Sequence, residues 1–158
     1  MRSKKLFVLF LIGISYTLNA QPTNWAWAKR AGGIAGDAAT SISTDASGNS
    51  FVTGNFLSAT ATFGTTTLTN AGARDVFVAK YDPTGNVIWA KRAGGTGEEL
   101  GISICADTSG NCYVTGFYSS PSVTFGTTVL TNVSTDNDVF VVKYASRGSG
   151  VWAKPAGG

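Results

Sequence analysis

The chain reads as short runs of alternating apolar and polar residues separated by turn chemistry. Residues 41–44 and 50–56 are rich in β-branched and aromatic side chains, and residues 75–81 and 87–91 form a second such pair. Asp45-Ala46-Ser47-Gly48-Asn49 separates the first pair, and Asp82-Pro83-Thr84-Gly85-Asn86 separates the second. In such a segment the leading Asp can accept a bond from a backbone N–H inside the turn. Pro83 presets φ at the second position, and the Gly supplies the left-handed residue of a G1 bulge. Each pair therefore predicts a β-hairpin. Residues 61–64 and 66–69 predict a small extra hairpin or edge ribbon between the two.

The whole pattern then returns. Trp27-Ala28-Lys29-Arg30-Ala31-Gly32-Gly33 reappears at Trp89 to Gly95 and again, with Pro155 in place of the Arg, at Trp152 to Gly158. The spacings are 62 and 63 residues (89 − 27 and 152 − 89). Asp107 to Asn111 repeats the first turn, Val114-Thr115-Gly116 repeats Val52-Thr53-Gly54, and Asp138 to Tyr144 repeats Asp75 to Tyr81. One insertion between Leu130 and Asp138 is needed. The last turn, Ala145-Ser146-Arg147-Gly148-Ser149, keeps the Gly and loses the Asp. Four antiparallel strands per repeat is the content of a propeller blade.

Trp…Gly-Gly, then Asp-x-Ser-Gly-Asn-x-aromatic-Val-Thr-Gly, then Asp-Val-Phe-Val-x-Lys-Tyr resembles the SBBP family, the seven-bladed β-propeller repeats of secreted bacterial proteins, over about residues 25–158. It is more distantly similar to NHL-type blades. The resemblance implies an extracytoplasmic, non-enzymatic repeat protein and brings no catalytic residues with it. The expected fold is all-β, with antiparallel propeller-type blades in about two four-stranded repeats. Residues 34–95 and 96–158 are the two repeats, and residues 21–33 are the leading strand of an incomplete blade. Two units are fewer than the 4–8 blades typical of a ring, so an incomplete propeller, or a fragment of a longer repeat protein, is expected. The leading strand is expected to continue the first unit or to stay exposed, and the open blade faces to allow self-association.

Charge changes the picture at the start of the chain. Arg2, Lys4 and Lys5 precede an apolar run, residues 6–14, and a small residue at Ala20. This is the pattern of a secretory signal peptide over residues 1–20, and the run is short for a membrane span. Without those three cations, nine basic residues face nine acidic ones. The sequence pI of about 9.0 belongs mainly to the leader, so it does not point to nucleic acid. The expected location is secreted or cell-surface, with no transmembrane segment after cleavage and an unidentified ligand or surface partner. There is no His, which excludes His-based triads, bases and metal sites. No Gly-x-Ser-x-Gly elbow or phosphate loop occurs. No enzyme activity, catalytic residue, metal or cofactor is expected. The rival readings are part of a propeller-based enzyme acting on polysaccharides, and an architectural self-assembly module.

Several residues invite a second reading. Asp45 with Asn49, Asp82 with Asn86 and Asp107 with Asn111 offer oxygens for calcium, but hairpin chemistry already accounts for them. Asp37 aligns with Glu99, beside Glu98, and either lines a channel or caps local N–H groups. Trp27, Trp89 and Trp152 stack sugars or, more plainly, pack between blades; Trp25 lies outside the repeat register. Gly32-Gly33 and Gly94-Gly95 fit a tight turn between blades. Asn132-Val133-Ser134 is a glycosylation triplet. Cys105 and Cys112 are the only cysteines and a disulfide candidate. A three-residue G1-bulge loop would place Ala106 opposite Cys112 and Cys105 opposite Tyr113, with the sulfurs on opposite faces. A four-residue loop would put Cys105 opposite Cys112 and allow the bridge.

Overall fold

The computed structural model describes residues 25–156; the expected leader, residues 1–20, lies outside them. All of the regular structure in this span is β. A short first strand, β1 (Ala31–Gly32), precedes the first unit of β2 (Asp37–Thr44), β3 (Ser50–Phe56), β4 (Thr60–Phe63), β5 (Thr66–Thr69), β6 (Asp75–Tyr81) and β7 (Val87–Gly94). The second unit repeats it as β8 (Glu99–Ala106), β9 (Cys112–Tyr118), β10 (Ser122–Phe125), β11 (Thr128–Thr131), β12 (Asp138–Tyr144) and β13 (Gly150–Ala156). In each unit four antiparallel strands make a blade, β2-β3-β6-β7 and β8-β9-β12-β13. The expected extra hairpin is present in both, as β4–β5 and β10–β11.

Those hairpins do more than decorate an edge. The second unit's hairpin pairs with the outer strand of the first blade, Thr124 with Gly94 and Phe125 with Ala93, so that one six-stranded sheet runs β11-β10-β7-β6-β3-β2. One repeat earlier the same positions pair again. Ala31 lies opposite Phe63 and Gly32 opposite Thr62, in the three-stranded sheet β1-β4-β5. Each inserted hairpin thus takes hold of the outer strand that precedes its own blade. β1 is the counterpart of the end of β7. It continues the first unit, one of the two expected outcomes, through the inserted hairpin and not the main sheet, because the β4 edge satisfies its backbone.

The hairpin turns follow the expected chemistry. Each Asp-x-x-Gly-Asn segment closes with an N–H from its Gly to the Asp carbonyl, 3.0 Å at Gly48, 2.9 Å at Gly85 and 3.0 Å at Gly110. The three glycines have φ of 78°, 81° and 75°, a region open to Gly at little cost. Gly148, in the turn that lacks Asp, has φ of 80° and bonds Ala145 in the same way. The blades' first strands are longer than the alternation alone indicates. Both carry a bulge, between Ala39 and Ser41 in β2 and between Gly101 and Ser103 in β8. The extra residue breaks the two-residue period.

The core lies mainly between the blades. Phe51, Val76, Val78 and Trp89 from one face of the first blade pack on Ile104, Val114, Phe140, Val142 and Tyr144 of the second. Two backbone N–H groups of β8 bond hydroxyls of β2: Ile104 to Ser41 at 3.3 Å and Ala106 to Ser43 at 3.0 Å. Lys80 crosses the same seam. Its Nζ lies 3.6 Å from Asp45, 3.4 Å from the Ser146 carbonyl and 4.7 Å from the centre of the Phe51 ring. A second cluster, with Phe56, Phe63, Phe77 and Tyr81, sits between the first blade and the β4–β5 hairpin.

Candidate functional site

Repetition makes each position its own control. Ile104 in the second blade is covered by the first blade and 6% exposed, whereas Ile42, its counterpart 62 residues earlier, is 63% exposed. The first blade therefore leaves open, at its Ile42 edge, part of a face that is buried in the second, while Phe77 and Tyr81 farther along it stay buried against the β4–β5 hairpin and Trp27. A groove of about 320 Å³ opens there, floored by Val52, Phe56, Phe63, Phe77 and Tyr81 and rimmed by Ile42. Its far wall is the leading segment, with Trp27, Lys29 and Ala31. The floor is preformed: Phe63 and Phe77 have ring centroids 4.8 Å apart, as do Phe125 and Phe140 at the equivalent buried place. The groove is mainly apolar, with Lys29 and Asp37 also in its lining.

The tryptophans show how such a face is filled. Trp89 reaches from the first blade onto the β12–β13 turn of the second. Its indole N–H donates to the Ser146 carbonyl at 3.1 Å and its ring lies 6.0 Å from that of Tyr144. Trp27 does the same one repeat earlier, donating to the Pro83 carbonyl at 3.2 Å and stacking on Tyr81 at 6.1 Å and 18°. A Cβ on Gly148 would lie 2.8 Å from the Trp89 ring, and one on Gly85 would lie 2.6 Å from Trp27. Trp152, at the same repeat position on the far face of the second blade, is half-buried. Trp25 is 90% exposed.

The carboxylates singled out in the sequence are occupied with backbone. Oδ1 of Asp45 accepts the N–H groups of Ser47 and Asn49 at 2.9 and 3.0 Å; Asp82 and Asp107 repeat this bond for bond. The Thr84 hydroxyl and then the Asn86 N–H draw the Asp82 carboxyl down to about 2. At Asp107 the Asn111 side chain leads the lowering. Asp37 and Glu99 hold the connections between blades. Asp37 accepts Gly33 N–H at 2.6 Å and the Ser58 hydroxyl at 3.0 Å; Glu99 accepts Gly95 N–H at 2.8 Å and the Ser120 hydroxyl. Burial pushes Asp37 up, but these bonds outweigh it and leave its carboxyl below the usual range. Glu99 is fully buried and its carboxyl is raised, burial outweighing the bonds from Ser120 and Gly95. Both carboxylates cap local N–H groups, and Asp37 also lines the groove. Among the described residues no three His, Cys, Asp or Glu come together as a metal-holding group, and no helix is long and apolar enough to cross a membrane.

The Gly-Gly pairs lie at the passage from one blade to the next, where Gly33 and Gly95 open the connections to β2 and β8. Gly32 has φ of 124°, whereas Gly94 lies inside β7 and Gly95 just beyond it without a positive φ. The glycines at 94 and 95 serve close approach: a Cβ at Gly94 would fall 2.2 Å from Asp75, and one at Gly95 2.2 Å from the Ser122 carbonyl. The disulfide between Cys105 and Cys112 is not formed. Ala106 lies opposite Cys112 and Cys105 opposite Tyr113, as the three-residue loop requires. Cys105 is exposed and Cys112 buried, and burial pushes the Cys112 thiol up to about 12.

No family model matches this chain. Over 88 residues it is 38% identical to an uncharacterized WD repeat-containing protein, L264, of Acanthamoeba polyphaga mimivirus. The match covers 52% of this chain and 6% of that protein, so the chain spans a small fraction of its relative's length. The likeness supports a propeller-like repeat, in agreement with the blade order.

The groove itself was not read from the sequence. Its residues are ordinary core types, and only comparison of equivalent positions separates a covered copy from an open one. Asp75 was also missed. Its fully buried carboxylate accepts the Ala71 N–H at 2.9 Å and an Arg92 Nη1 bond at 2.8 Å; its recurrence as Asp138 was the available signal.

Proposed function

We propose that this chain is an exported, non-enzymatic β-propeller-type repeat module that works as a structural or binding surface. The observation that carries the reading is a contrast. The carboxylates singled out in the sequence are engaged with backbone in both units, while the Ile42 edge of the first blade's apolar face is open. What this molecule offers to a partner is a shaped apolar surface. The resemblance of its repeats to SBBP repeats and the basic-apolar leader support export, and the likeness to a WD repeat-containing protein supports a repeat module. Recognition by blade faces and turns needs no cofactor. The architectural reading is favoured by the groove, because a face built to be covered by a blade suits assembly.

The test combines mass and turnover. Exported protein should have lost residues 1–20 by cleavage after Ala20, leaving 138 residues, and should show no hydrolase or lyase activity on polysaccharides. A full-length exported species, or turnover abolished by Asp75→Asn, would overturn the proposal.

A further inference from the structure

The partly open face of the first blade has a covered counterpart in the second, so the chain already contains that interface once. In the seam between blades, Val76 and Val78 cover the second blade, with Val76 0% exposed. Their counterparts on the far face of the second blade are Val139, which is 43% exposed, and Val141, which is half-buried. Phe51 corresponds there to Tyr113, and Lys80 to Lys143. That far face is preassembled. Lys143 lies 5.0 Å from the centre of the Tyr113 ring, as Lys80 lies 4.7 Å from that of Phe51. One end of the molecule thus carries the socket and the other end carries the plug.

Resting on the proposed binding role of the groove, we propose that its occupant is a second copy of this chain, docked head to tail, with Tyr113, Val139 and Val141 of one copy seated on the exposed Ile42 and half-buried Val52 of the next, and reaching toward Phe77 as the leading segment is displaced. The contact is heterologous, so it leaves a free plug and a free socket and propagates to a ring or a chain. Lys143 of the incoming copy then reaches the Pro83 carbonyl, as Lys80 reaches that of Ser146 within the chain. The leading segment is a placeholder in this scheme. β1 holds β4 through Ala31 and Gly32, and Trp27 covers Tyr81, the places that β13 and Trp152 of the incoming copy would take. Two paired residues and one exposed indole bond make that segment displaceable.

Sedimentation velocity of the full chain over a concentration series tests this with two variants at exposed positions. Ile42→Arg spoils the socket and Val139→Arg the plug. Each alone should weaken association by about 30-fold or more, the loss expected at a hot-spot position, with an unchanged melt showing that it still folds. Mixed one to one, they should form a dimer and nothing larger, because one intact socket meets one intact plug. Trp27→Ala should shift wild-type assembly to lower concentration. A wild-type chain that stays monomeric, association indifferent to both substitutions (as leader-driven clustering would be), or a mixture that stays monomeric while wild type assembles would each overturn the proposal. None of these results bears on export or turnover, which test the broader reading separately.

Discussion

Trp89→Ala removes the side chain that joins the two blades, and its cost can be set against two internal controls. Trp89 is buried between Phe51, 6.2 Å away edge to face, and Tyr144, 6.0 Å away, with its N–H bonded to the Ser146 carbonyl. Truncating a buried Trp to Ala costs about 3–5 kcal/mol. Domains of this kind have about 5–15 kcal/mol in all. In a chain of this size each kcal/mol moves Tm by about 2–4 °C, so the variant should melt roughly 6–20 °C lower. Trp27 and Trp152 occupy the same repeat position with one side open, and each should cost about 1 kcal/mol, near the centre of the usual distribution. Equilibrium urea unfolding below the concentration of self-association reads all three, with the slope checked for two-state behaviour. If Trp27→Ala or Trp152→Ala costs as much as Trp89→Ala, the tryptophans stabilise each repeat from within and the seam between blades is misplaced.

Glu99→Gln should reveal a pH-dependent difference. The folded carboxyl is raised above its ordinary 4.5, so Glu99 favours folding when protonated and loses that contribution as pH rises through its folded value. Wild type should therefore lose stability relative to the Gln variant between pH 4.5 and neutrality in paired melts; a constant or opposite difference would refute this. In the folded protein a thiol reagent should label Cys105 quickly and Cys112 only on unfolding, with two free thiols in denaturant without reductant; no free thiol in denaturant would restore the disulfide. Gly148→Ala should destabilise more than Gly126→Ala. Both have positive φ, 80° and 63°, but only the first added Cβ meets the Trp89 ring, while the second meets nothing within 4 Å. The backbone alone costs about 1–2 kcal/mol, and equal losses in urea titrations would sink the Trp-on-turn contact.

The blades were legible because their turns state themselves. Asp, Pro, Gly and Asn at fixed offsets, recurring at 62–63 residues, fix hairpins and count units. The partners of β1, β4 and β10 were not legible, since pairing between units leaves no local signature in four-residue strands. The extra length of β2 and β8 hid behind bulges at Thr40 and Ile102, which interrupt the alternation. The Thr40 hydroxyl stitches its bulge to the Thr53 and Gly101 carbonyls, at 3.2 and 2.6 Å, a contact between blades that spacing along one strand does not report. At residues 105–112, turn chemistry outweighed the pairing of two cysteines. Once Gly110 takes the left-handed position, the register sends the two thiols to opposite faces.

The central claim is that the two repeats stack as blades, the outer tryptophan of one on the last turn of the next. Nuclear Overhauser contacts from the Trp89 indole test it directly. The account predicts cross-peaks to Gly148 and to the Tyr144 ring, together with contacts between the Val76 methyls and Gly101. Cross-peaks from Trp89 to Tyr81 and Gly85 of its own repeat, with none to Gly148, would contradict it.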